Sequence, residues 1–217
     1  MNGTFEGNLK LVLPDRRKIP LDQAYEQIKC YERMVVALFD RTNTGPHDQL
    51  EPIDLLSLNA LNAFVGSNPT SAMAELWVKR KRVEAVTAGI TKQPIESLSD
   101  KLLASEISKI AGWFRGVEDI RFWKGGVRSS KLFHRLRPNV GAIWDKKVSS
   151  WYPRNINDKN WVPWLRRVFH DLRQNRIALG AIQKRLRSDP EIELFLYLPR
   201  IWDILLWSLA PSRPNTE

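Results

Sequence analysis

The chain has 217 residues, 43% of them hydrophobic, and a formal net charge of +10 at pH 7. This length suits one sizeable core or two small lobes that share one, and the composition predicts that most of the chain folds. The single cysteine excludes an intrachain disulfide and an all-cysteine zinc or iron–sulfur site, and three histidines far apart in sequence argue against a structural metal.

The first hundred residues predict a polar arm followed by helices. Residues 1–19 are polar, and alternating leucines within them indicate a short strand or an ordered arm. Apolar residues at three- and four-residue steps then predict three helices, over 21–40, over 52–66, and from a cap at Thr70 or Ser71 to about Ile90.

The second half is also helical. Its apolar pattern predicts helices over 101–115, 127–136, from Lys146 onward, 161–187 and 189–209. We expect Pro199 to kink or divide the last of these, because proline lacks the backbone N–H that a helix interior requires. No series of strands is evident, so the predicted fold class is all-α, a multi-helix domain in two lobes.

We treat the chain as one domain with five segments. They are the arm (1–19), a first helical lobe (20–100), a central segment (101–150), C-terminal helices (151–210) and a flexible tail (211–217). No apolar run is long enough to span a bilayer and the N-terminus lacks the pattern of a signal peptide, so we expect a cytoplasmic protein.

Positive charge is concentrated in one part of the sequence. Residues 121–187 carry 17 Lys or Arg and 3 Asp or Glu, a net charge of +14. Such a concentration indicates a surface that meets a polyanion, because neutralised phosphates release counterions and drive binding. The alternative is an ordinary solvated basic surface.

A glycine pair opens the helix predicted over 127–136. Unpaired amides at the start of such a helix, together with its dipole, bind a phosphate oxygen, and neighbouring basic and hydroxyl side chains add donors. An ordinary tight turn is the alternative. The residues predicted to bind the DNA backbone are Lys124, Gly125, Gly126, Val127, Arg128, Ser129, Ser130 and Lys131.

The wider pattern resembles the helix-hairpin-helix superfamily of DNA glycosylases, which has the endonuclease III-like fold. Those proteins carry a hairpin of the type GVGxxTA, then a helix, then a VDTHV-like segment with the essential aspartate. When Ser129 is placed on the alanine of the hairpin, Asp145 in the segment Ile-Trp-Asp-Lys-Lys-Val (143–148) falls on that aspartate without a gap. With one cysteine, the chain would be a member without an iron–sulfur cluster or other cofactor.

The resemblance implies a mechanism. An extrahelical base would enter a pocket, and Asp145 would stabilise the positive charge on the sugar and orient or deprotonate water. Bifunctional members also use a Schiff-base lysine two positions before the hairpin alanine, where this chain has Val127. The resemblance therefore implies a monofunctional enzyme, unless Lys124 or Lys131 substitutes.

Two features near this motif have competing interpretations. Asp145 is also well placed to cap the helix that begins at Lys146, and capping and catalysis can coexist. Trp144, Trp151 and Tyr152 flank the aspartate and are candidates to stack on a flipped base, although aromatic residues of this kind are more often core. We assign three other tryptophans to the core: Trp164, Trp202 and Trp207.

An acid in the apolar C-terminal helix also stands out. Asp203 requires a partner there, either Arg200, three residues earlier, or a basic residue elsewhere in the chain, and a buried structural pair is the favoured interpretation.

A second resemblance covers most of the chain. The segments 38–40, 44–45, 129–132, 137–138, 144–145 and 199–203 are similar to an uncharacterised bacterial protein family with a TAxKLLxRKRPxLIPVYDxxV segment. That family implies no activity.

The leading hypothesis is therefore a monomeric DNA glycosylase that acts on double-stranded DNA, either in repair or in antiviral defence against phage with modified bases. The alternatives are a non-catalytic helix-hairpin-helix protein that binds DNA and an interaction protein whose basic face meets an acidic partner. Steep salt dependence of DNA binding would favour the first two over the third.

Overall fold

The computed structural model describes residues 9–43, 45–61, 63, 68–118, 120, 123, 126–153, 156 and 160–210. Over these residues the chain is mostly helical with one two-stranded sheet, which confirms the all-α class and the short N-terminal β arm. The predicted tail lies outside the described residues. None of the described helices combines the length and the apolar character that crossing a bilayer requires.

The elements follow in chain order. Two strands form the arm, β1 Lys10–Val12 and β2 Lys18–Pro20. The α-helices of the described chain are α1 Leu21–Glu32, α2 Leu38–Arg41, α3 Pro52–Ala60, α4 Pro69–Val78, α5 Arg80–Ala88, α6 Asp100–Glu118, α7 Gly126–Leu136, α8 Lys146–Ser149, α9 Trp161–Gln174, α10 Arg176–Ser188 and α11 Leu198–Leu209. Short 3-10 helices lie at Val35–Ala37 and Ile95–Ser97.

The arm is a β-hairpin that docks on the C-terminal helices. Its turn residue Arg16 adopts a φ of 70°. Asn175 pins β1, since its Oδ1 accepts from Val12 N at 2.7 Å and its Nδ2 donates to Val12 O at 2.9 Å. Asn175 also separates α9 from α10, so the single helix predicted over 161–187 is two helices.

Two other predicted helices are also divided. The helix predicted over 21–40 stops at Glu32, and the Tyr31 hydroxyl donates to Asp40 Oδ2 at 2.6 Å, which holds α2 back against α1. The helix predicted to reach Ile90 is interrupted between α4 and α5. Its cap is Asn68, whose Oδ1 accepts from Ser71 N at 3.2 Å, and neither Thr70 nor Ser71.

The prediction for Pro199 is wrong. The last helix begins at Leu198, and Pro199 lies in its first turn, where the missing N–H costs nothing. Residues 190–197, which the pattern assigned to the same helix, have no helical structure despite their apolar side chains.

One hydrophobic core joins all segments of the described chain. Helix α11 packs against α1, α8, α9 and α10, and α6 packs against α5, α7 and α9. Trp164 and Trp202 are fully buried, as predicted, whereas Trp207 is half-buried.

Gly141 provides a test of this packing. A Cβ built on Gly141 would lie 2.7 Å from His134 Cα and 2.8 Å from Arg137 O, and neither backbone atom moves cheaply. We expect Gly141→Ala to lower the free energy of unfolding by about 1–3 kcal/mol in chemical denaturation. Gly112, in α6, has no neighbour within 4 Å of such a Cβ, so Gly112→Ala should raise stability by about 0.5–1 kcal/mol. A Gly141→Ala protein as stable as the wild type would contradict this account.

Candidate active site

A cavity of about 260 Å³ lies between α1, α7, α8 and α11. Its apolar lining includes Leu61, Ile143 and Trp207, and its polar lining comes from Tyr31, Lys131, Asp145, Arg200 and Asp203. The cavity therefore brings together two residues of the predicted site, Lys131 and Asp145, with polar groups from the C-terminal helix.

Asp145 both caps a helix and lines the cavity. Its Oδ1 accepts from Lys147 N at 2.7 Å and from Val148 N at 2.9 Å, which confirms the predicted N-cap of α8. Its side chain is half-buried. Capping leaves the carboxylate in reach of the cavity, so the structure is compatible with both interpretations of Asp145.

The segment before Asp145 is held by two buried side chains. Ser130 Oγ accepts from Trp144 N at 2.9 Å, and Asp203 Oδ2 accepts from Ile143 N at 2.7 Å. These bonds fix residues 143 and 144 to α7 and to α11, and they set the position of the aspartate that follows.

Burial corrects part of the predicted DNA contact. Ser129 and Ser130 are fully buried and bond to backbone groups of the protein, so their hydroxyls do not reach a phosphate. Gly126 is also buried, at the start of α7, whereas Val127 is exposed and Arg128 is half-buried. Lys124 and Gly125 lie outside the described residues.

Lys131 occupies the cavity and not the surface. Its Nζ donates to Leu61 O, and the residue is buried. Burial, assisted by the positive charges of Arg200 and Arg128, lowers the pKa of Lys131 to about 8, although Asp145 opposes the shift. Lys131 thus lies inside the cavity, and its predicted contact with DNA stays a prediction.

The pKa of Lys131 gives a testable pH dependence. Between pH 8 and the unfolded value of 10.5 the unfolded chain binds more protons at this site, so stability should rise with pH in that window. Relative to Lys131→Met, the wild type should gain about 2 kcal/mol in free energy of unfolding from pH 7.5 to pH 10. Urea denaturation of both proteins at the two pH values measures this difference. An identical pH dependence in the two proteins would contradict the shift.

The predicted base-stacking aromatics lie elsewhere. Trp144 is buried and packs edge-on against Trp164, with ring centroids 5.2 Å apart, so it belongs to the core. Trp151 and Tyr152 line a different, open groove. The aromatic side chains that line the cavity are Tyr31 and Trp207, and the Lys147 ammonium lies 4.1 Å from the Trp207 ring centroid.

Arg200 is buried beside the cavity but does not pair with Asp203 as predicted. Its Nε donates to Asp40 Oδ1 at 2.9 Å, and its Nη2 donates to Asp40 Oδ2 at 3.0 Å and to the Tyr31 hydroxyl at 2.6 Å. Asp40 and Tyr31 lie 160 and 169 positions before Arg200 in the sequence. The sequence therefore did not indicate these two partners, and its only local indication of a buried charge here was the spacing of Arg200 and Asp203.

Asp203 consequently has no ion-pair partner among the described residues. Burial raises the pKa of the Asp203 carboxyl well above its usual range, and the negative charges of Asp145 and Asp40 act in the same direction. Arg200 lowers it, but not enough to offset the burial.

The basic segment divides into buried and exposed residues. Arg135 and Arg137 are fully buried and form ion pairs with Asp54 and Asp48, respectively. They therefore stabilise the core and are not exposed to a polyanion. Exposed basic residues gather instead around an open groove of about 850 Å³, lined by Pro14, Arg16, Trp151, Tyr152, Pro153, Ile156, Pro163, Arg166, Arg167 and His170.

In the described part of the chain, no group of three His, Cys, Asp or Glu side chains is arranged to hold a metal ion. A family model described as a family of unknown function (DUF6308) matches residues 23–210. Neither the curated proteins nor the solved structures include a significant match to the chain.

Proposed function

The chain belongs to this family, whose description assigns no activity, and we propose that it is a DNA glycosylase. A damaged or modified base would leave the duplex, enter the cavity and be excised by hydrolysis, which leaves an abasic site. One observation carries the proposal: Asp145, which the glycosylase resemblance singles out, lines a cavity together with Lys131 and Asp203.

The cavity has a suitable size for one base. Pockets for drug-sized ligands occupy about 300–1,000 Å³. A single base is smaller than such a ligand, so a cavity of about 260 Å³ can hold one. Tyr31 and Trp207 supply aromatic surface, and the carboxyl of Asp203 and the ammonium of Lys131 supply polar groups that can read the edge of a base.

The proposed chemistry assigns two roles to Asp145. Cleavage of the N-glycosidic bond builds positive charge on the sugar, and a carboxylate nearby stabilises that charge and accepts a proton from the attacking water. The two backbone amides that bond to Asp145 Oδ1 hold this carboxylate in place without a further side chain.

The proposed enzyme is monofunctional. Val127, at the position of the Schiff-base lysine, carries no amine, and Lys131 holds its ammonium on the Leu61 carbonyl. Below pH 8 most of the Lys131 side chain is charged and therefore not nucleophilic. We expect DNA strands to break only after heating in alkali and not during the incubation.

Exposed basic residues offer a path for the duplex. Lys146 and Lys147 lie directly after Asp145, and α8 has four residues, about 6 Å of helix, before the chain reaches the groove at Trp151. Arg16 and Arg166 line that groove and make no ion pair within the described chain. Phosphates on either side of a flipped nucleotide would meet these charges.

A non-catalytic DNA-binding protein is the second candidate, and the helix cap favours it. Asp145 accepts two N–H bonds as an N-cap, a sufficient structural reason for an aspartate at this position. This alternative predicts salt-dependent DNA binding without any release of base.

The experiment is an excision assay. Purified protein is incubated with labelled duplexes that each carry one oxidised, alkylated, deaminated or hypermodified base, and the products are heated in alkali. The proposal predicts a strand break at the modified base of at least one duplex. Binding without a break in any duplex would favour the non-catalytic alternative.

The role in the cell depends on which base is released. Excision of oxidised, alkylated or deaminated bases would indicate repair. Excision of a hypermodified base, such as glucosylated hydroxymethylcytosine, would indicate defence against phage.

A further inference from the structure

Two carboxyl groups in different environments face the same cavity. Asp145 precedes α8, is half-buried and accepts hydrogen bonds from two backbone amides. Asp203 lies in the middle of α11, is 2% exposed and accepts one hydrogen bond, from Ile143 N at 2.7 Å. Both line the cavity, so a ligand inside it would meet both.

The cation nearest in sequence to Asp203 is already engaged. Arg200 lies one turn earlier on α11, but its guanidinium makes three hydrogen bonds to Asp40 and one to Tyr31, at 2.6–3.1 Å. In the described chain no lysine or arginine nitrogen forms an ion pair with Asp203. A buried carboxyl without a paired cation is most stable in its neutral form.

Charged and titratable groups from several elements surround Asp203. Asp145 from the segment before α8 and Asp40 from α2 disfavour a third negative charge, whereas Arg200 favours it. Lys131 from α7 lines the same cavity, and Tyr152 interacts electrostatically with Asp203. Burial dominates, so the pKa of Asp203 is raised well above its usual range. Paired carboxyls whose environments separate their protonation states are the arrangement of an acid and a base that act together.

We propose that Asp203 is a second catalytic residue of this cavity, the acid that protonates the departing base while Asp145 accepts a proton from water. This inference rests on the proposed glycosylase function and deepens it. It also specifies the substrate class: a neutral base that leaves poorly unless a ring nitrogen or oxygen is protonated.

The step balances. The bond from the sugar C1′ to the base nitrogen breaks, and its electron pair goes to the base, which takes the proton of Asp203. A water oxygen bonds to C1′, and its proton goes to Asp145. Asp203 ends as a carboxylate and Asp145 as a neutral acid, and exchange with solvent restores both.

Asp203→Asn separates this role from a structural one. The amide oxygen of asparagine can still accept from Ile143 N, and asparagine is neutral, as we infer Asp203 to be. The variant should therefore fold, with a melting temperature within a few degrees of the wild type. It lacks only the acidic proton.

The test is single-turnover base release from pH 5 to pH 10, on a duplex that the wild type cleaves. We expect Asp203→Asn to be about 10²–10⁴-fold slower at neutral pH. We also expect it to lack the fall in rate at high pH that the wild type shows. Asp203→Glu should recover part of the rate. Asp171→Asn is the matched control, because Asp171 is also buried with a raised pKa but does not line the cavity.

A second substrate separates an acid role from a positioning role, because a positioning residue would be needed for every base and an acid only for neutral ones. A base that is already cationic in DNA, such as 7-methylguanine, departs without an added proton. If the wild type excises it, Asp203→Asn should excise it within about threefold of the wild-type rate.

If the Asp203→Asn protein releases neutral bases at the wild-type rate, the inference is overturned and the glycosylase proposal stands. An Asp203→Asn protein that is slower than the wild type by the same factor at every pH, and so keeps the fall in rate at high pH, also overturns it. A wild type that releases no base from any duplex overturns the proposed function and this inference together.

Discussion

Asp145→Asn should slow base release by about 10²–10⁴-fold while the protein remains folded and bound to DNA. Asparagine is as good an N-cap as aspartate, so its Oδ1 can keep the bonds to the amides of Lys147 and Val148, at 2.7 and 2.9 Å in the wild type. What it loses is the negative charge and the ability to take a proton from water.

This substitution separates the two interpretations of Asp145. The rate is measured as single-turnover base release, the binding as a filter-retained fraction of labelled duplex, and the fold as a melting temperature. Asp145→Ala is the companion variant, since it should lose the activity and also about 1 kcal/mol of stability with the cap. An Asp145→Asn protein that releases base at the wild-type rate would leave the cap as the only role for this residue.

Asp40→Ala should have the largest effect on stability, a loss of about 3–5 kcal/mol in free energy of unfolding. It leaves the buried guanidinium of Arg200 without its carboxylate, and an uncompensated buried charge has that cost. Because Arg200 also lines the cavity, activity should fall with stability.

The matched control is Asp22→Asn, which breaks an exposed ion pair with Arg185 and should cost less than about 1 kcal/mol. Both variants are compared with the wild type in urea denaturation. If Asp40→Ala costs no more than Asp22→Asn, the Arg200–Asp40 pair does not stabilise the site as described.

The sequence pattern predicted where helices exist better than where they end. The apolar periodicity is continuous across 161–187, but Asn175 interrupts the helix there because its side chain bonds to β1, 163 positions away in sequence. The Tyr31–Asp40 bond, which accompanies the break after α1, also depends on a side chain brought close by folding.

For the candidate site, the sequence indicated which side chains can bond to nearby backbone groups, but it did not indicate which side chains are buried. The residue type and position of Asp145 predicted that it caps α8, and the structure confirms this N-cap. Ser129 and Ser130 fit a phosphate-binding turn by residue type, yet both are fully buried, and Ser130 bonds to Trp144 across 14 positions. Tyr31 and Arg200 line the cavity together and share Asp40 as a hydrogen-bond partner, which the sequence spacing does not indicate.

The most direct test of the central claim is to identify the free base by mass spectrometry. Wild-type protein is incubated with genomic DNA that carries oxidative, alkylation or deamination damage and, separately, with phage DNA that contains hypermodified cytosines. Low-mass products are then compared with those from Asp145→Asn. We predict a free modified base and a matching number of abasic sites with the wild type, and neither with the variant. DNA that is bound by the wild type but yields no free base from any source would contradict the claim.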